Sequence, residues 1–423
     1  MSRAPFSENF LVSFFLTGNS GRDGNDIHNQ IWYLHNQEFR NRSVSAMGSI
    51  FGELKIFDWL KYRLTYTYSY ARNNDASIVP EYDLGTTNGR QAYNSQTLTY
   101  GGSGHEVIEN LLTFDKTFND VHSLSGVLGM VSEKFDGWST GVLGRSNEYS
   151  GFGIATRYPD SQIVTGSQYN EAYFSYLARV MYSYNSKYMI TANFRADESS
   201  KFIDGNRWGY FPSFSVGWRI SEEDFFPKNT PISNLKFRAS WGRLGSESAL
   251  GYYYAPTMSN SNTQWMSYIQ GGNPWAGMSN LYLVNDDLRW ETTDTKNIGF
   301  DFGLFNNKLS GSLNYYYNTT EDLLIEKDMP PSAGIYNPTV NVGKMVNKGF
   351  ELELNYGDNI NGFDYNIGFN LSTIHNEMLK ADPNQVLYGS AWKGDGHFVT
   401  QTLKGYPVAS FWLYQTDGIF QTD

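Results

Sequence analysis

The 423-residue chain contains no cysteine. A disulfide framework, a thiolate metal centre and a cysteine nucleophile are therefore all excluded. It also lacks any uninterrupted apolar run near the roughly 18 residues that a membrane-spanning helix needs. Positive charge is scarce, with 32 Lys and Arg against 43 Asp and Glu, a formal net charge of -11. No basic cluster stands out, so no nucleic-acid partner is expected, because phosphate binding requires one. The start, Met1 to Thr17, carries Glu8 and only the short apolar run Leu11 to Leu16. It does not read as a secretory signal, and the expectation is a fragment that begins at an interior methionine.

Aromatic residues and glycine are abundant. The chain has 31 Tyr, 28 Phe and 41 Gly beside 18% charged residues, a balance suited to strands and turns. The mean hydropathy of -0.48 does not argue against a membrane. A barrel strand is apolar on one face only, so whole-chain hydropathy is nearly blind to it.

The dominant pattern is period-two alternation in segments of about ten residues, the length of a tilted bilayer-crossing strand. Leu60, Tyr62, Leu64, Tyr66, Tyr68 and Tyr70 alternate with Lys61, Arg63, Thr65, Thr67 and Ser69. Leu235, Phe237, Ala239 and Trp241 do the same against Lys236, Arg238 and Ser240. Further pairs of such segments flank Asn185, Asn306 and Gly357. Short turns are expected near Asp58, Asn119, Asn185, Asn306 and Gly357, with a longer one over Ser221 to Ser233. Long connections are expected at Asn73 to Gly104, Gly137 to Gln168, Gly245 to Leu288 and Glu326 to Asn341.

These observations predict an all-β, antiparallel, up-and-down transmembrane barrel segment of roughly 12 to 14 strands. The long loops should face outward and the tight turns the periplasm. Leu64, Phe300, Phe302, Leu352 and Phe369 should all point to the outside. A soluble β-sandwich also alternates, but its strands run nearer five or six residues. Tyrosines at strand ends, as at Tyr182, Tyr184 and Tyr188, fit the aromatic girdle of a barrel. Pro212 is unusual within a paired strand and predicts a bulge or a local break in the ladder.

The stretch from Tyr188 to Glu223, YMITANFRADESSKFIDGNRWGYFPSFSVGWRISEE, closely resembles the most recognisable block of SusC/RagA-type TonB-dependent transporters. Similar to the same family are NLKFRASWGRLG (234–245), LRWETTDTKNIGFDFGLFNNKLSGSLNYYYNTTEDLL (288–324) and NVGKMVNKGFELELNY (341–356). The resemblance covers most of the chain from about Ser45 onward, without the family's plug domain, TonB-contacting motif or last strands, and so implies an incomplete, open barrel. It implies import of oligosaccharide or peptide across a Gram-negative outer membrane, beneath a SusD-like surface lipoprotein and powered through the TonB complex. The implied division is 1–44 as an N-terminal segment with an extracellular loop, 45–377 as barrel strands, and 378–423 as a loop leading to missing strands. The lipid of the outer membrane is the remaining partner.

No catalytic or metal-binding residues and no cofactor are expected. No His pair has ligand spacing, and no nucleophile elbow, phosphate loop or zinc-hydrolase motif occurs. Glu222, Glu223 and Asp224 read as surface carboxylates of an inter-strand turn, and Asp286, Asp287 and Asp382 as solvated turn residues. The mixed-sign charges Lys61, Arg63, Arg179, Arg195, Asp301 and Glu351 should satisfy one another and water in the lumen. The uncharged stretch Ser248 to Asn285 carries Tyr252, Tyr253, Tyr254, Trp265, Tyr268, Trp275 and Tyr282 among amides and hydroxyls. Aromatic faces with neighbouring amides suit a neutral hydroxylated ligand or a protein lid. A loop packed on its own aromatics has the same composition. A soluble or surface β-rich carbohydrate-binding protein is the alternative function.

Overall fold

The computed structural model describes residues 37–83, 90–146, 161–227, 229–247, 285–330 and 337–382, with short stretches between 258 and 280 and between 386 and 413. Thirteen strands form one antiparallel sheet. They are β1 (Glu38–Phe57), β2 (Leu60–Val79), β3 (Asn94–Phe118), β4 (His122–Ser146), β5 (Ser161–Tyr184), β6 (Tyr188–Ser199) and β7 (Trp208–Arg219). The series continues with β8 (Ile232–Ser246), β9 (Glu291–Leu304), β10 (Leu309–Glu321), β11 (Lys344–Ile360), β12 (Phe363–Ser372) and β13 (His375–Lys380). Each strand pairs with its neighbour in sequence, save that β12 and β13 both pair with β11. Among the described residues the sheet is open, because there β1 pairs only with β2 and β12 only with β11. Among the described residues no helix is long and apolar enough to cross a membrane, which says nothing of strands.

Asparagine makes the tight turns. The turns 118–121, 184–187 and 305–308 each close with a backbone bond, and their central residues have positive φ: Asn119 and Asp120, Asn185 and Ser186, Asn306 and Asn307, the last two preceded by Phe305, also at positive φ. That is the type I′ geometry whose twist matches a hairpin. The fourth such turn is Asn361 and Gly362 (φ 54° and 87°), not the expected site near Gly357, which lies within β11. Asn-Gly is the preferred I′ pair, whereas Gly357 opens a polar run that still pairs in register with β12.

Register places the apolar residues on one face. Phe237, Phe300, Leu313, Leu352 and Leu371 follow one another across five strands. Leu112, Leu128, Ala178 and Phe194 do the same across β3 to β6. Leu64, Phe300 and Phe369 are exposed on this face, with Phe302 and Leu352 half-buried beside them. None is enclosed between two sheets. The one amide in the β3 part of the band, Asn110, accepts a hydrogen bond from Tyr62 (2.7 Å), which removes the penalty of an unpaired polar group there. Pro212 causes no register shift against β6. Instead the ladder between β7 and β8 stops at Ser213, so the break is one-sided.

Strands run well past the expected segments. β3 and β4 each have 25 residues, so the connections expected at 73–104 and 137–168 shrink to 80–93 and 147–160. The tight-turn side ends evenly, while the long-connection side is a tall, uneven rim.

Candidate functional site: the inner wall and its rim

The face opposite the apolar band is lined by polar side chains that meet across strands. Arg179 donates to Asn193 (2.6 Å), whose amide donates to Ser213 (2.9 Å). Arg195 pairs with Asp197 (2.6 Å) and donates to Ser175 (3.1 Å). Arg238 bridges Asp301 (2.8 Å) and Asn314 (2.9 Å). Lys61 meets Glu53 at 3.7 Å, and the Arg63 guanidinium lies 4.0 Å over the Phe51 ring. Glu351 is exposed on the same face. Charges arranged in this way neutralise one another at close range, and so line a wet passage without creating a strong field of one sign.

At β12 the wall is shaped by backbone. β12 and β13 are separated at Thr373 and Ile374. The Thr373 carbonyl there accepts from the Tyr316 hydroxyl (3.1 Å), and its amide donates to Phe350 O (2.8 Å). A Cβ at position 349 would lie 1.9 Å from that carbonyl, so only glycine allows the approach.

Toward the rim the inner wall forms an open recess of about 380 Å³ lined by Glu133, Phe135, Tyr173, Arg195, Asp197 and Glu247, among others. The Tyr173 hydroxyl donates to Glu247 at 2.5 Å, although two strands separate β5 from β8. Such a reach requires the concave side of a curved sheet. Lys201 lies 3.3 Å from Glu247 and 3.4 Å from Glu171. Burial pulls the Lys201 ammonium down, but Glu247 and then Glu171 outweigh it, and the group titrates above the usual lysine value. His105 stacks on Phe135 at 3.9 Å and meets Glu133 at 3.3 Å. The recess thus offers aromatic faces beside charged hydrogen-bonding groups, the mixture that holds an oriented polar ligand.

The rim above it is tied together by residues distant in sequence. Phe202 is fully buried against Leu288, with Trp290 and Leu324 around them. Trp290 Nε1 donates to Arg207 O (3.0 Å), and Asn206 donates to Asp286 O (3.1 Å). Arg289 makes a bidentate pair with Asp322 (2.8 and 3.0 Å), which raises the guanidinium above its usual value through hydrogen bonding first and charge second. Asn341 accepts from Arg289 N and donates to Arg289 O and Asp322 O. Nothing in the sequence flagged this assembly, although most of it lies within the blocks at 188–223 and 288–324, with Asn341 opening the block at 341–356.

Of the aromatic residues expected to contact substrate, Tyr268 and Trp275 are backbone partners in a short hairpin, Ser267–Gln270 with Asn273–Ala276. Tyr252, Tyr253, Tyr254, Trp265 and Tyr282 lie outside the described residues. Among the described residues no group of three or more His, Asp and Glu could hold a metal ion. Glu223 is more than a solubilising carboxylate. Trp218 Nε1 donates to it (2.9 Å) and Lys187 approaches at 3.6 Å. Hydrogen bonds from Tyr188 and Trp218, outweighing desolvation, hold its carboxyl below the usual value of 4.5.

Comparison with known proteins matches this architecture. TonB-dependent receptor P3 of Formosa agariphila is 28% identical over 408 residues, covering 94% of this chain and 39% of that protein. TonB-dependent receptor SusC of Bacteroides thetaiotaomicron is 31% identical over 249 residues, 57% of this chain and 25% of that protein. The chain thus spans well under half the length of these relatives. The solved RagAB peptide transporter superposes with a TM-score of 0.78 at 21% identity, covering 90% of this chain and 41% of that one; this similarity establishes the shared fold. The family model described as TonB dependent receptor-like, beta-barrel, matches residues 3–410, and with the two-faced antiparallel sheet it places this chain in the TonB-dependent receptor β-barrel family, among relatives that include SusC.

Proposed function

We propose that this chain forms the wall of an outer-membrane transporter that imports oligosaccharides or peptides, with the long-connection rim outside the cell and the tight turns in the periplasm. The family is one of receptors and transporters rather than enzymes. One observation carries the reading: the same sheet presents an exposed apolar band on one face and a polar lining of paired charges on the other. A lipid solvent outside and water inside stabilise that arrangement together. In water the band would be a large aggregation-prone patch, which weighs against a soluble carbohydrate-binding protein. Sealing the sheet requires pairing the free edges of β1 and β12 with further strands, since unpaired backbone in hydrocarbon costs several kcal/mol per group. On this reading 45–377 supplies barrel strands between the flanking segments 1–44 and 378–423.

The partners proposed are a SusD-like surface lipoprotein over the rim and the TonB complex as the source of energy. The peptide arm is supported by the similarity in fold to a peptide importer. The oligosaccharide arm rests on the uncharged aromatic stretch Ser248 to Asn285. The test uses the complete receptor in cells, following energised uptake of labelled oligosaccharide and labelled peptide. Trp265→Ala with Trp275→Ala should weaken uptake of one class or loosen the lipoprotein. Unchanged affinity and unchanged lipoprotein association would remove that stretch from the site, and a receptor that partitions into water without detergent would refute the transporter reading itself.

A further inference from the structure

We propose that the outer wall of β9 to β11 carries a binding site for the phosphate of an outer-leaflet glycolipid, formed by Lys296, Tyr317 and Lys348. The proposal rests on the orientation given above, in which the rim side faces out of the cell. Register sets the three side by side: Lys296 pairs with Tyr317, and Tyr317 with Lys348. Trp241 flanks the row on β8 and His375 on β13. All belong to the apolar face, one step rimward of Ile298, Tyr315 and Phe350, all exposed. The row therefore stands where hydrocarbon gives way to headgroups.

Its charge is distinctive. The next residues rimward on this face are internally paired: Arg243 with Asp294 (2.9 Å), Lys344 with Glu321 (2.5 Å) and His375 with Glu377 (3.4 Å). Lys296 and Lys348 have no carboxylate at salt-bridge distance among the described residues, although Lys296 lies within electrostatic reach of Asp294. Lys296 instead lies 6.0 Å over the Tyr317 ring. In a chain of net charge -11, this strip sets Arg243, Lys296, Lys344 and Lys348 against Asp294, Glu321 and Glu377. Two lysines on alternate strands are separated by roughly 10 Å of sheet, a gap their stems can close from both sides. Their methylenes lie along the apolar band while the ammonium groups reach the interface. A phosphate between them would accept charge-assisted bonds from both and a hydroxyl bond from Tyr317. A protein partner is disfavoured by position, since lipid surrounds the band immediately below.

The test uses the complete receptor purified in detergent, with binding followed by native mass spectrometry. The probes are lipid A bearing its phosphates, dephosphorylated lipid A, and inorganic phosphate alone. The phosphorylated form should bind about tenfold tighter than the dephosphorylated form. Lys296→Gln with Lys348→Gln should abolish that preference, and Tyr317→Phe should reduce it. Lys134→Gln, on the same face but opposite Glu106, should leave it intact. Equal binding of the two lipids, or a preference that survives the double substitution, overturns the site. Inorganic phosphate binding as tightly as the lipid overturns the assignment to a glycolipid. Cell fractionation of the same variants separates the two readings: a receptor absent from the outer membrane refutes the proposed function, whereas one present there without the phosphate preference refutes only this site.

Discussion

The two ends of the sheet are built on different principles. At the tight-turn end, neighbours in sequence close the hairpins, in four of them through asparagine-containing turns with positive φ. At the rim, side chains up to 83 positions apart do the work, as in Trp290 Nε1 to Arg207 O. The first kind of order is local and redundant, since the loss of one turn leaves the ladder beside it. The second is cooperative, because Phe202, Leu288, Trp290, Arg289, Asp322 and Asn341 share partners. Stability should accordingly be concentrated at the rim.

Phe202→Ala gives the largest expected effect. Emptying a fully buried aromatic site should cost about 3–5 kcal/mol and expose the rim connections to protease while the tight turns stay protected. If limited proteolysis and the unfolding midpoint are unchanged, the rim is not a cooperative unit. Asn341→Ala removes three bonds to backbone and should cost about 2 kcal/mol. Its effect should be non-additive with Arg289→Ala in a double-mutant cycle; simple additivity would mean that the two act separately.

Gly362→Ala at the other end should cost only about 1 kcal/mol, since φ there is 87°, and its effect should not spread to the rim. Hydrogen exchange resolved by segment would detect any such spread. The smallest effect is a pH dependence at Glu223. Its carboxyl titrates below 4.5 in the folded protein, so its contribution is complete above the ordinary value and disappears as pH falls through the lower folded one. Glu223→Gln should flatten that acid limb for cleavage in the 220–231 connection. An unaltered limb would assign the acid sensitivity to other groups.

Much of the band and the turns could be read from sequence because each depends on near neighbours. Leu60 to Tyr70 alternates, and Asn185 and Asn306 mark I′ turns. Gly357 misled because a glycine in a polar run resembles a turn, while the Asn-Gly pair four residues later is the one with the required dihedral preference. The outer parts of β3 and β4 escaped notice for a related reason. Beyond the apolar band both faces of a strand meet polar surroundings, so a stretch such as Asn94 to Thr99 loses the alternation that reveals a strand. Glu223, Lys201 and Asn341 carry no sequence signal at all. Their roles depend on partners brought near by the folded sheet, and only the resemblance of the surrounding blocks to a known family hinted at their importance.

The connection 247–290 between β8 and β9 also bears on how the sheet assembles. Every other principal pairing joins strands linked by a shorter stretch of chain. Loop-closure entropy grows with the logarithm of length, so registering β9 on β8 costs on the order of 3 kcal/mol more than closing a two-residue hairpin. The meander therefore divides kinetically into two blocks, β1 to β8 and β9 to β13, each able to zip hairpin by hairpin and joined at one late seam. Lys201 holds Glu247 on one side of that seam, and Asn206 holds Asp286 on the other. The short 200–207 connection thus acts as a latch, reducing the freedom of the two chain ends that must find each other last.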